Sequence, residues 1–101
     1  MTKSQKKHLQ NLAAKAHEIA MKKALNELRL QFNKWEQGEI DPWELNESIH
    51  KYHDGTARDI WKIYNSSDPT IPIAISIKKG IIKLEDVRED CRVFFERFLT
   101  L

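Results

Sequence analysis

The sequence predicts an all-α fold: a small helical bundle with a long N-terminal helix, two short middle helices, a short helix near residues 70–79 and a C-terminal helix. Three observations predict it. Residues 5–36 carry apolar side chains at spacings of three and four with no Gly or Pro among them, the period of an amphipathic helix. Residues 38–55 hold a full set of helix-start signals followed by the stop signal Asp54-Gly55. Residues 84–101 repeat the three-and-four spacing. Only three Gly and three Pro occur in 101 residues, which disfavours a turn-rich β sandwich. The length is that of a single helical domain spanning 1–101.

The first helix is built from Ala, Lys, Leu, Gln and Glu, all good helix formers. At ~1.5 Å per residue it is about 48 Å long, far beyond the ~13 Å radius of gyration of a compact domain of this size. Residues 1–8 are therefore expected to fray or project. The apolar stripe starts with small Ala residues and ends with Leu28, Phe32 and Trp35. That places the expected main core in the C-terminal half of the helix.

Gln37-Gly38 ends this helix, Gly suiting the position just past a helix end. Asp41 is the expected N-cap of the next, with Pro42 at the first helical position and Glu44 completing a capping box. Ile40 and Leu45 occupy the hydrophobic-staple positions. Leu45, Ile49 and Tyr52 form the inner face; Trp43, Glu47 and His50 face outward. Asp54-Gly55 is read as the stop, and Thr56 with Asp59 as the cap pair of a third helix that buries Ile60, Trp61 and Tyr64.

Residues 70–79 carry two readings. Ile71, Ile73, Ile75 and Ile77 alternate as in a strand. No second strand is available to pair with it, and a lone strand leaves its backbone unsatisfied. Asp68-Pro69 repeats the Asp41-Pro42 start pattern and Gly80 fits a stop, so a short helix is expected. The alternative is an edge strand that pairs with a second copy. The last helix is expected from about Glu85 to Leu99, with Leu84, Val87, Cys91, Phe94, Phe98 and Leu101 on its stripe, widened by Phe95 and Leu99.

Charge is uneven along the chain. The net is +2, but residues 1–34 carry eight Lys or Arg against two Glu, and the remainder nine against thirteen acids. The two parts are electrically complementary, within or between chains. One cysteine, Cys91, excludes an intramolecular disulfide and any multi-cysteine zinc site, and is expected as a buried apolar side chain. No stretch approaches the ~20 apolar residues of a membrane span, and the basic N-terminus lacks the apolar run of a signal peptide. Cytoplasmic residence is the expectation.

Chemistry-bearing residues are few. Glu47, His50 and Asp54 share a helix face with Trp43. Glu-x-x-His is the half-motif that di-iron bundles use twice; here it occurs once. The bland reading is a solvated helix face, and an exposed Trp43 beside His50 and Glu47 would anchor a protein partner. Trp35, Trp43 and Trp61 are many for this length, and at most two fit on the core stripes. On the first helix Lys15, Lys22 and Lys23 are candidates for contact with nucleic-acid phosphates; the bland reading is a solubilising face. No Gly-rich phosphate loop and no nucleophile elbow is present. No cofactor is expected, and enzymatic activity is not expected.

The His53-Asp54 doublet resembles that of HD-type metal phosphohydrolases, which are all-helical. The resemblance implies an alternative in which His50, His53 and Asp54 bind metal, with His17 and Asp86 or Asp90 placed as further ligands by their order in the chain. Separately, the segment from Trp35-Glu36-Gln37-Gly38-Glu39-Ile40-Asp41-Pro42 to His53-Asp54-Gly55-Thr56-Ala57-Arg58 resembles a pattern in uncharacterised small all-helical bacterial proteins. It covers about residues 25–90 and implies a helical fold with no activity to carry over. The function expected is a non-enzymatic protein–protein interaction module that self-associates, a homodimer being the expected form. The alternatives are a nucleic-acid-associated protein and the metal-dependent hydrolase.

Overall fold

The computed structural model describes residues 1–99, apart from the side chains of Arg97 and Leu99. Leu101, expected on the C-terminal stripe, lies outside the described residues, as does the side chain of Leu99. The described residues are helical with no strand: α1 (Lys3–Glu36), α2 (Pro42–Lys51), α3 (Arg58–Tyr64), α4 (Thr70–Lys78) and α5 (Glu96–Leu99). Two short 3-10 segments, Leu84–Asp86 and Glu89–Phe95, precede α5.

Local chemistry sets the boundaries. Thr2 accepts from the Gln5 amide at 3.0 Å while the Gln5 side chain accepts from the Thr2 amide at 2.8 Å, a complete capping box. At the other end of α1, Gly38 has φ +76°. Its amide donates to the Trp35 carbonyl and the Glu39 amide to Lys34, the paired bonds of a Schellman stop. The same pair closes α4, from Gly80 to Ile77 and from Ile81 to Ser76. At the start of α2, Asp41 accepts from the Glu44 amide at 2.8 Å and Glu44 accepts from the Asp41 amide at 3.3 Å. Asp68 plays the corresponding part before α4, accepting from the Thr70 amide and hydroxyl.

Asp54-Gly55 does not stop the second helix. Tyr52–Ala57 forms a π-helical turn that joins α2 to α3 in one rod, and no side chain caps α3, so Thr56 and Asp59 are not its cap pair. The wider turn inserts a residue into the helical register and re-aims the faces beyond it. Tyr64, Ile60 and Ile63 are half-buried, but Trp61, expected inside, is 60% exposed.

The core lies at the opposite end of α1 from the one expected. Leu9, Leu12 and Ala16 pack with Ile73, Ala74, Ile82, Val87, Cys91 and Phe95. Small Ala side chains let α4 and the C-terminal segment approach α1 closely; fully burying Leu9, Ile73, Val87 or Phe95 is worth about 1.5–3 kcal/mol each. The start of α1 neither frays nor projects. Gln5 donates to the Asp90 carbonyl, Arg88 donates to the Ser4 hydroxyl, and the Arg88 amide donates to His8 Nε2 at 3.0 Å.

The C-terminal segment that makes these contacts is not one helix from Glu85. Val87, Cys91 and Phe95 are buried, whereas Leu84 is exposed. Arg88 holds Asp90 through Nε and Nη2, at 2.5 and 3.0 Å. This hydrogen bond lowers the Asp90 carboxyl below its ordinary value and raises the guanidinium above its own.

The α2–α3 rod runs back along the distal half of α1. Tyr64 stacks on His17 with ring centroids 4.7 Å apart. Nearer the tip, Ala24, Leu28 and Gln31 line a groove with Ser48, Lys51, Tyr52 and Thr56. This two-layered arm buries only Ala20, Ala24 and Leu45. The molecule measures 53 × 25 × 22 Å with a radius of gyration of 17.0 Å, against ~13 Å for a compact chain of this length. No helix among the described residues is long and apolar enough to cross a membrane.

Candidate interaction surface

The cap at Asp41 fixes the rotation of α2, and with it everything the helix presents. With Asp41 at the N-cap, Leu45 falls on the face toward α1 and is buried. Trp43, Glu47, His50 and Asp54 then lie on the far side, and all four are exposed. Trp43 is 82% exposed, the most open of the large apolar side chains among the described residues. The inner trio is less uniform than expected: Tyr52 is half-buried, while Ile49 sits at the margin and is exposed.

Lys15, Lys22 and Lys23 are exposed on α1 and make no ion pair among the described residues. Lys22 and Lys23 border an open groove with Ile19, Asn26, Glu27 and Leu30. The basic row is therefore interleaved with apolar side chains.

His50, His53 and Asp54 are exposed, and among the described residues no group of three or more His, Cys, Asp or Glu stands ready to hold a metal ion. The residues placed with them by chain order are engaged elsewhere. His17 stacks on Tyr64, Asp86 accepts from the Lys83 amide, and Asp90 is held by Arg88.

The structure adds residues that the sequence reading placed inside: Leu25, Phe32 and Trp35 of α1 are exposed, as is Trp61 of α3, and Met21, which the apolar stripe did not include, is exposed beside them. No tryptophan is buried: Trp35 is 43% exposed, and Trp61 and Trp43 are more so. The signal for this was in the apolar count of α1, which is too large for a single face. Ile19 and Leu30 lie on a different side of the helix from Met21, Leu25 and Phe32. The arm thus combines an ordered backbone with a surface rich in large apolar groups.

No family model, no curated protein and no solved structure matches the chain.

Proposed function

We propose that this chain is a non-enzymatic helical interaction module that self-associates through its distal arm. The observation that supports this is the exposure of Met21, Leu25, Phe32, Trp35, Trp43 and Trp61 on an arm that buries only Ala20, Ala24 and Leu45. Large apolar side chains exposed together on one part of a fold point to an interaction site, and tryptophan is among the side chains most enriched at interface anchors. The outer strip of Trp43, Glu47, His50 and Asp54 provides such an anchor flanked by polar groups. The free, buried Cys91 fits a reducing compartment such as the cytoplasm.

Solution mass tests the reading. Sedimentation equilibrium should give a multiple of 11.9 kDa that rises with concentration. A monomer throughout the micromolar range would refute it.

A second reading is contact with nucleic acid through Lys15, Lys22 and Lys23, supported by the exposure of all three. Binding of this kind weakens steeply with salt. Retention of single- or double-stranded oligonucleotides at low salt, lost when the three lysines become Glu, tests it; no retention at low salt ends it.

A further inference from the structure

One face of α1 is left largely open by the fold. Met21, Leu25, Leu28, Phe32 and Trp35 recur at spacings of four, three, four and three, the 3.5-residue repeat of a coiled-coil seam. Four of the five are exposed and Leu28 is half-buried. The α2–α3 rod covers the neighbouring flank, meeting α1 around Ala24, Leu28 and Gln31, so Leu28 is the seam position that the rod partly covers. The seam is closed at its end by the Gly38 stop, and its side chains other than Leu28 stand exposed.

We propose that this seam packs against the same seam of a second copy, the two α1 helices running antiparallel. The proposal rests on the self-association reading above and names its surface and geometry. A seam that meets its own copy about a two-fold axis is self-complementary by construction. Charge gives the orientation. The flank away from α2 carries Lys15, Lys22, Arg29 and Glu36 at seven-residue steps, all exposed. Antiparallel packing sets this row against itself in reverse. Glu36 of one copy then comes beside Lys22 of the other, twice over, while the two Arg29 side chains meet near the axis, leaving two favourable pairs against one like-charge contact. A parallel pair would set the row against the Ala24/Gln31 flank, which carries no charge and is already covered. Antiparallel packing also puts both α2–α3 rods on one side of the seam, giving a four-helix arrangement.

Six proteins in an equilibrium sedimentation series test this. The wild type should be a dimer. Leu25→Asp, at a half-exposed position, should be a monomer with unchanged helical circular dichroism; Trp35→Glu serves as a second seam variant if that chain does not fold. Leu30→Asp, off the seam, should remain dimeric. Glu36→Lys should weaken the dimer about tenfold, the scale of two exposed ion pairs. Mixing Glu36→Lys with a Lys22→Glu/Arg29→Glu chain should restore it. A monomeric wild type overturns both the reading and the seam. A dimer that survives both seam variants overturns the seam and leaves self-association standing. A seam-dependent dimer indifferent to the charge changes overturns the antiparallel orientation.

Discussion

Tyr64 donates its phenolic proton to Ser76. Their oxygens are 2.5 Å apart, and Ser76 has a single hydroxyl proton, which it gives to the Pro72 carbonyl at 2.6 Å. Tyr64 must therefore be the donor. The same ring stacks on His17, so one side chain ties α1, α3 and α4 together where the arm meets the core. Tyr64→Phe keeps the stack and removes the bond. It should lower unfolding stability by about 1 kcal/mol, read as a shift in denaturant midpoint at unchanged slope. An unshifted midpoint would show that the bond contributes nothing.

The capping box at Asp41 makes a comparable local contribution. Asp41→Ala removes the acceptor of the Glu44 amide and should cost about 1 kcal/mol. Because Trp43 is so open, Trp43→Ala in the same assay should leave the folding of the monomer within about 0.5 kcal/mol of wild type. Equal losses from the two changes would mean that Trp43 is packed in the folded chain.

These two residues mark what the sequence conveys and what it does not. Asp41-Pro42 with Glu44 and Leu45 is a local signal: the atoms that satisfy the helix end lie within four residues of one another. It correctly predicts the start of α2 and, from that, the outward set of Trp43, Glu47, His50 and Asp54. The helix at residues 70–79 follows by a similar argument from unsatisfied backbone. Which stripe is covered is not local. Leu9, Leu12 and Ala16 are buried because α4 and the C-terminal segment pack there, whereas Leu25, Phe32 and Trp35 read equally apolar and stay exposed. Periodicity identifies a face; burial needs a partner. The same limit explains the C-terminal segment. The spacing of Leu84, Val87, Cys91 and Phe94 suits an α-helix, yet the bonds from Arg88 to His8 and Ser4 and from Gln5 to the Asp90 carbonyl bind this stretch to the start of α1 in 3-10 form.

The Arg88–Asp90 pair predicts a pH effect. Its hydrogen bond holds the Asp90 carboxyl below its ordinary value, so the unfolded chain takes up that proton first as pH falls. The stabilisation is present above the ordinary carboxylate range and is lost as pH drops through that range to the lower folded value. Asp90→Asn should thus be less stable than wild type at neutral pH, with the difference shrinking in acid and in high salt. Parallel profiles across the acid range would remove the pair from the stability balance.

Cys91 reports on the core. Its side chain is fully enclosed, and burial pushes the thiol's pKa up, so little reactive thiolate forms. Ellman's reagent should label the native protein slowly and the denatured protein at once, with a native rate that follows the opening equilibrium. Rapid native labelling would place Cys91 at the surface and undo the packing of Val87, Cys91 and Phe95 on α1.

Gly55 offers the sharpest test of the continuous rod. Read from the sequence, Asp54-Gly55 resembles Gln37-Gly38, yet only Gly38 needs what glycine provides. Gly38 has φ +76°, a region in which an L side chain is strained, and Gly55 does not. A Cβ at Gly55 meets nothing within 4 Å, and alanine loses less backbone freedom on entering a helix. Gly55→Ala should therefore stabilise the protein by about 0.5–1 kcal/mol, whereas Gly38→Ala should destabilise it by about 1 kcal/mol. The two substitutions are chemically identical and should move the thermal midpoint in opposite directions. Destabilisation at both sites would mean that the helix ends at Gly55 after all, and α2 and α3 would then be separate elements with a hinge between them.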